Sequence, residues 1–99
     1  MTRHARRIDR NHGEIVKALR GVGFVVVDTS AYGEGFPDML VVNPNNGRAG
    51  FVEAKTFENI RAGKIELEVR FMLTIVSDVY RMVETEQAAV DAMQELLRL

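Results

Sequence analysis

Three residues in the middle of the chain have the types and the spacing of a hydrolytic site. Asp38 follows a proline at the expected start of a strand, and Glu53 and Lys55 stand two residues apart in a later apolar stretch. Residues two apart on a strand leave the same face of the sheet, so we expect this carboxylate and ammonium group side by side. Charges in an apolar strand are rarely buried without partners, which makes the set a candidate site.

Metal-assisted hydrolysis of a phosphodiester is the chemistry that uses these groups. The carboxylates of Asp38 and Glu53, with the backbone carbonyl of Ala54 and waters, offer the oxygen ligands that Mg²⁺ or Mn²⁺ prefers. The cation neutralises charge that develops on the scissile phosphate, and Lys55 orients the attacking water or stabilises the pentacovalent phosphate. Glu14, on an expected helix, is a further candidate, either for a second metal or for an indirect contact through a water.

Each of these residues also has an ordinary structural interpretation. Glu53 and Lys55 can form a solvated ion pair on an edge strand, which is the commoner role of such a pair. The proline–aspartate step is a common turn opener, and Glu14 stands where the capping-box partner of Asn11 belongs. The combination of these residues is therefore stronger evidence for a hydrolytic site than any one of them.

Periodicity and turn residues predict the elements that position this set. The predicted order is α-β-β-β-α-β-α, with a helix opened by Asn11 and ended by Gly21 and Gly23, strands at about 24–29, 38–42, 50–55 and 79–83, and a last helix at about 86–98 capped by Thr85. The stretch 65–76 fits both a strand and a helix, and its length favours the helix. The turn residues at 43–47 make the second and third strands a hairpin. We therefore expect an α/β fold with a mixed central sheet and a C-terminal helix.

These segments resemble a known nuclease signature. The residues that carry the resemblance are Gly35-Phe-Pro-Asp38-Met-Leu, Phe51-Val-Glu53-Ala-Lys55, Asn11-His-Gly-Glu14-Ile-Val and the loop from Asp28 to Gly35. The first two are similar to the PD-(D/E)XK nuclease signature, and the others resemble stand-alone VRR-NUC (virus-type replication-repair nuclease) domains over about residues 8–93. The resemblance implies a restriction-endonuclease-like fold with an α-β-β-β-α-β core and Mg²⁺-dependent DNA cleavage, with Mn²⁺ able to substitute.

The resemblance also implies a role for each matching residue. Asp38 and Glu53 match the metal-binding acids, Lys55 matches the catalytic lysine, and Glu14 matches the acid of the first helix. Ser30 falls where related resolvases keep a loop serine, which makes it a candidate DNA contact.

One position departs from the family pattern. Family members often place a glutamine on the helix after the E-x-K motif, and Val69 stands there in this chain. The departure leaves the metal site untouched and puts one phosphate-positioning contact in doubt.

The net charge of −1 hides a gradient that bears on DNA binding. Residues 1–20 carry six Lys or Arg against two acidic residues, whereas residues 84–99 carry four acidic residues against one Arg. The candidate phosphate contacts are Arg3, Arg6, Arg7 and Arg10 in a basic arm over residues 1–10, and Arg61 and Lys64 beside the active strand. Such an arm can equally be solvated and inert.

For small stand-alone members, the resemblance implies a homodimer that acts on branched DNA such as four-way junctions. Symmetric cutting of two strands needs two sites related by a two-fold axis, and one chain of 99 residues has one. Three alternatives stay open: a nuclease for flaps, forks or linear DNA, a non-catalytic DNA-binding module of the same fold, and a small structural α/β protein with an incidental ion pair.

Composition excludes several other classes of protein. The length fits one domain, taken as residues 11–99, and the absence of cysteine excludes disulfides and thiolate sites. Two histidines, both in the first 12 residues, make a Ser-His-Asp triad or a His-rich zinc site unexpected. No apolar run could span a membrane, and no secretory signal precedes the domain, so we expect no membrane partner and a cytoplasmic location in a bacterial or phage-infected cell.

Overall fold

The structure, a computed structural model, describes residues 11–32, 36–55 and 77–98. They form two α-helices, a four-stranded sheet and two short 3-10 helices (Ser30–Tyr32 and Ser77–Val79). The helices are α1 (His12–Gly21) and α2 (Glu86–Leu97), and the strands are β1 (Val25–Asp28), β2 (Met39–Val42), β3 (Ala49–Ala54) and β4 (Tyr80–Val83). The predicted α/β class and C-terminal helix are confirmed. The stretch 65–76, predicted to be a helix, lies outside the described residues.

The sheet is mixed, as predicted. Its strand order is β1-β2-β3-β4, and the first two pairings are antiparallel whereas β3 and β4 run parallel. The predicted hairpin joins β2 to β3 through a turn in which Gly47 has a φ of 75°, a conformation that glycine adopts without strain. The parallel pairing needs a long crossover connection, which the chain between residues 55 and 77 is long enough to supply.

Both helices pack on one face of the sheet and bury the core there. Alternation along the strands sends Val26, Met39, Val41, Val52 and Ala54 to this face, where all are buried. The inward residues of the helices recur at helical spacing; they are Ile15, Val16 and Leu19 in α1 and Ala89, Met93 and Leu97 in α2. The intervening strand positions, Glu53 among them, therefore belong to the other face.

The two helices begin differently. Thr85 caps α2 as predicted, because its side chain accepts a hydrogen bond of 3.0 Å from the Ala88 amide. The predicted capping box of α1 is wrong, since the Asn11 side chain makes no cap hydrogen bond. Its Nδ2 instead donates to the backbone carbonyl of Glu84, which ties the start of α1 to the end of β4.

The close approach of α2 to β3 predicts a steric cost at Gly50. A methyl group there would lie 2.9 Å from Leu96 Cδ2 and 3.1 Å from the Val79 carbonyl oxygen, and the backbone atom cannot yield cheaply. We expect Gly50→Ala to lower the free energy of unfolding by about 1–3 kcal/mol in urea denaturation. Gly21→Ala is the control, because nothing lies within 4 Å of its added methyl group. Equal stability losses in the two variants would contradict the packing described.

Candidate functional site

The carboxylates of Asp38 and Glu53 are held together by two reciprocal backbone hydrogen bonds. The Asp38 amide donates to Glu53 Oε1 at 3.2 Å, and the Ala54 amide donates to Asp38 Oδ2 at 2.9 Å. The pairing of Met39 with Val52 explains this, since the next residues outward are the two acids. Both are buried, with 4% and 1% of their surface exposed. The structure therefore brings together the two acids that the sequence predicted as metal ligands.

The regular hydrogen bonding between β2 and β3 ends where Pro37 stands opposite Ala54. Continuing the β2–β3 register places Pro37 opposite Ala54, and the Pro37 carbonyl accepts a hydrogen bond of 2.7 Å from the Thr29 hydroxyl. The Ala54 amide donates to the Asp38 carboxylate instead. The Ala54 carbonyl receives no donor from residue 37, because proline has no N–H, and its role as a backbone ligand stays a prediction.

Lys55 extends the site on the other side of Glu53. Its ammonium group lies 3.7 Å from Glu53 Oε2, and the two side chains are 10% and 1% exposed. The Lys55 amide donates to the Val83 carbonyl at 2.9 Å, so the backbone here is fixed against the end of β4. The interpretation of this pair as a solvated ion pair on an edge strand is wrong, because β3 lies between β2 and β4 and both charges are buried.

The structure does not bring Glu14 to this cluster. Glu14 is exposed on α1, and no hydrogen bond or ion pair joins its carboxylate to Asp38 or Glu53. It follows His12 by two residues, which places it about 200° around the helix from that buried residue. Within residues 11–32, 36–55 and 77–98, no group of three or more His, Asp or Glu side chains is arranged to hold a metal ion.

His12 is the residue of α1 that faces the acids, and the sequence reasoning missed it. Its Nε2 lies 3.2 Å from Asp28 Oδ2, and its Nδ1 lies 3.8 Å from Asp38 Oδ2. The side chain is 7% exposed. Helical spacing could have indicated it, because His12 precedes the buried residues Ile15 and Leu19 by three and seven positions.

Asp28 orients this histidine and is itself oriented by Ser30. Asp28 Oδ1 accepts hydrogen bonds from the Ser30 amide at 3.0 Å and from the Ser30 hydroxyl at 2.7 Å. Its other oxygen therefore faces His12. Ser30 is buried, and this hydrogen bond links its hydroxyl to the site through Asp28 and His12, while its predicted contact with DNA stays a prediction.

The surroundings of His12 and Asp28 shift the pKa of each residue toward its charged form. The Asp38 carboxylate, with Asp28 beside it, raises the pKa of His12 above its ordinary value of 6.5 despite the opposing effect of burial. Burial acts to raise the pKa of Asp28, but the hydrogen bonds from Ser30 and the contact with His12 outweigh it and lower that pKa. Both shifts come from the contacts that join His12 and Ser30 to the carboxylates around them.

A cleft of about 310 Å³ lies beside the His12–Asp28 pair. It is lined by His12, Gly13, Val16, Lys17, Arg20 and Asp28. Two of these, Lys17 and Arg20, are exposed cations that sequence reasoning did not single out. Arg20 also donates to the Val26 carbonyl at 2.9 Å, which fixes its side chain at the far end of the cleft. The cleft thus leads to His12, and two cations line it.

The remaining predicted DNA contacts cannot be placed relative to this site. Arg3, Arg6, Arg7, Arg10, Arg61 and Lys64 lie outside the described residues, as do the basic arm over residues 1–10 and Val69. In the described part of the chain, neither helix has the length and hydropathy needed to cross a bilayer.

A comparison of the chain with protein-family models, with curated proteins and with solved structures found no match. The resemblance to VRR-NUC domains therefore stays a prediction. The case for the function rests on the geometry of Asp38, Glu53 and Lys55.

The His12–Asp28 pair predicts how stability depends on pH. The raised pKa of His12 means that its contribution is fully present below about pH 6.5 and is lost as the pH rises through the folded-state pKa. The lowered pKa of Asp28 means that its contribution is present above about pH 3.8 and is lost as the pH falls through the folded-state pKa. Asp28→Asn should therefore be most destabilising between these values, by roughly 0.5–1 kcal/mol for a half-exposed carboxylate, and less so at pH 9.

Urea denaturation of both proteins with a chelator present, from pH 4 to pH 9, measures this difference. A difference in the free energy of unfolding that stays constant over the whole range would contradict a charged pair.

Proposed function

We propose that the protein is a divalent-metal-dependent, structure-selective DNA endonuclease that hydrolyses phosphodiester bonds. The observation that carries the proposal is the burial of Asp38, Glu53 and Lys55 in one cluster. Moving a charge out of water costs on the order of several kcal/mol per ion, and apolar residues of similar size would stabilise such a sheet as well or better. A chain of 99 residues that retains three buried charges in contact is best explained by chemistry that needs them.

The donor atoms of the cluster fit a hard divalent cation. Asp38 and Glu53 present carboxylates side by side, and Ala54 presents a carbonyl without a ladder donor from residue 37. These three residues would hold the ion, and Mg²⁺ or Mn²⁺ suits their oxygens. When bound, such an ion supplies neutralisation of charge on the phosphate and activation of water as a nucleophile.

The chain's own groups contribute orientation and charge. The two backbone hydrogen bonds fix the acids before any substrate arrives, so the reaction needs no rearrangement of them. Lys55 places an ammonium group next to Glu53, where it can stabilise negative charge on a phosphoryl oxygen. Such stabilisation is stronger in a buried site than in water, because the local dielectric constant is lower.

Branched DNA as substrate and a homodimer as the active form belong to the same proposal. They are supported by the resemblance to small VRR-NUC domains and by the need for two sites to cut two strands symmetrically. Flaps, forks and linear DNA are the competing substrates. A module that only binds DNA is less well supported, because binding alone does not require Asp38, Glu53 and Lys55 to be buried together.

Removal of either acid should abolish cleavage. We expect Asp38→Asn and Glu53→Gln each to slow cleavage of a labelled four-way junction about 100-fold or more while binding persists, since charge stabilisation is lost and the basic surface is not. A chelator should stop cleavage by the wild-type protein. The assay uses Mg²⁺ and Mn²⁺ in parallel, with linear, flap and fork substrates beside the junction.

Asp91→Asn serves as the matched control, because Asp91 is an exposed carboxylate on α2. Cleavage by Asp38→Asn at the wild-type rate would refute the proposed site. Tight junction binding without cleavage by the wild-type protein under either metal would favour the non-catalytic module.

Lys17 should contribute to DNA binding through the cleft. Each phosphate contact adds about one to the slope of log affinity against log salt, so Lys17→Ala should weaken binding to all DNA sequences and lower that slope by about 1. Binding is measured by fluorescence anisotropy in the Asp38→Asn background, where the DNA stays intact. Arg48→Ala, an exposed cation in the β2–β3 turn away from the cleft, is the control. Equal slopes for the two variants would exclude the cleft as the DNA path.

A further inference from the structure

The imidazole of His12 lies between two carboxylates and has a hydrogen bond at only one nitrogen. Nε2 lies within hydrogen-bond distance of Asp28 Oδ2 at 3.2 Å, whereas Nδ1 is 3.8 Å from Asp38 Oδ2, too far for a hydrogen bond. Nδ1 is buried and has no hydrogen-bond partner among the described residues. A buried polar atom without a partner is uncommon in folded proteins, so it points to a group that this nitrogen would bind.

The contact with Asp28 decides which nitrogen is available to a ligand. A carboxylate accepts hydrogen bonds, so Nε2 keeps the proton that it donates to Asp28, and a metal ion that binds the ring displaces the proton of Nδ1, the nitrogen that faces Asp38. Ser30 holds the other oxygen of Asp28 through two hydrogen bonds, which keeps the carboxylate turned to His12. A histidine whose other N–H is donated to a carboxylate is the usual arrangement at protein metal sites, because it fixes the ring for its metal.

We infer that Nδ1 of His12 is a ligand of the same divalent cation as Asp38, so that α1 contributes an imidazole and not the carboxylate of Glu14. The inference rests on the proposed function, which supplies the cation. Metal bonds to histidine nitrogen and carboxylate oxygen are each about 2.0–2.2 Å long, so two ligands of one ion lie at most about 4.4 Å apart. The 3.8 Å between Nδ1 and Asp38 Oδ2 is within that limit.

The surroundings of His12 suit a cation that arrives from solvent. The two carboxylates beside the ring attract a cation and oppose the effect of Lys17 and Arg20, which line the same cleft. At Gly13 the missing side chain leaves open space in that cleft. An ordered second shell and a path of entry are both required of a metal site. Asp28 and Ser30 supply the first, and the cleft supplies the second.

A nitrogen ligand changes the class of metal that the site prefers. Mg²⁺ binds oxygen ligands and loses its waters reluctantly, whereas imidazole nitrogen suits first-row transition ions. Ligation by His12 beside Asp38 therefore favours Mn²⁺ and the later divalent ions over Mg²⁺. Two carboxylates and a carbonyl alone would suit either Mg²⁺ or Mn²⁺, so the nitrogen ligand narrows the range of metal ions that the site prefers.

Pulsed electron paramagnetic resonance of Mn²⁺ bound to the full-length protein, without DNA, tests the assignment. We expect modulation from a directly coordinated ¹⁴N nucleus in the wild-type protein and its loss in His12→Gln. Glutamine is the matched substitution, because its amide nitrogen can still donate to Asp28 in place of Nε2. Calorimetric titration should show Mn²⁺ affinity reduced about tenfold or more in this variant, while Mg²⁺ affinity changes little.

Glu14→Gln distinguishes the two candidate ligands of α1. It should retain both the ¹⁴N modulation and the Mn²⁺ affinity of the wild-type protein. Absence of ¹⁴N modulation in the wild-type protein would overturn the inference, and so would loss of Mn²⁺ affinity in Glu14→Gln but not in His12→Gln. Thermal unfolding in a chelator reports whether His12→Gln folds, and if it does not, the wild-type spectrum alone decides.

The metal-binding measurement keeps this inference separate from the proposed nuclease activity. Mn²⁺ bound with ¹⁴N modulation, but with no cleavage of any DNA substrate, would support the ligand assignment and count against the nuclease. Cleavage of DNA by a protein whose bound Mn²⁺ shows no ¹⁴N modulation would support the nuclease and overturn the assignment.

Discussion

The site depends on the exchange of two hydrogen bonds between the start of β2 and the end of β3. Beyond the pair of Met39 and Val52, carboxylates accept from the backbone: the Asp38 amide donates to Glu53, and the Ala54 amide donates to Asp38. The same two contacts therefore close the end of the hairpin and bring the acids together. Any rearrangement that separated the acids would also leave buried amides without partners, which makes the geometry of the site as stable as the sheet.

Charge balance explains how a small core tolerates this cluster. Lys55, whose amide bonds the end of β4, places its ammonium group 3.7 Å from Glu53, and His12 of α1 lies between Asp38 and Asp28. Each buried acid thus has a cationic or titratable neighbour, which lowers the cost of its burial. The positions of these neighbours depend on different elements, so the cluster requires β4 and α1 to pack correctly on the central hairpin.

Features set by local chemistry could be predicted from the sequence, whereas those set by distant contacts could not. The Thr85 cap, the turn at 43–47 and the alternation around Glu53 each involve neighbours along the chain, and all three were predicted correctly. The cap proposed for Asn11 was wrong because its side chain bonds the carbonyl of Glu84, 73 residues away. The burial of Lys55 could not be foreseen either, because β3 becomes a central strand only when β4 pairs with it in parallel.

The sequence by itself determined that two carboxylates and a lysine would stand together on adjacent strands. Strand alternation is a property of the local backbone, and it holds in any packing that forms the hairpin. Only the tertiary structure decided that His12, and not Glu14, approaches Asp38. That choice depends on the rotation of α1 about its axis, which is set by the burial of Ile15 and Leu19 against the sheet, and no local rule specifies it.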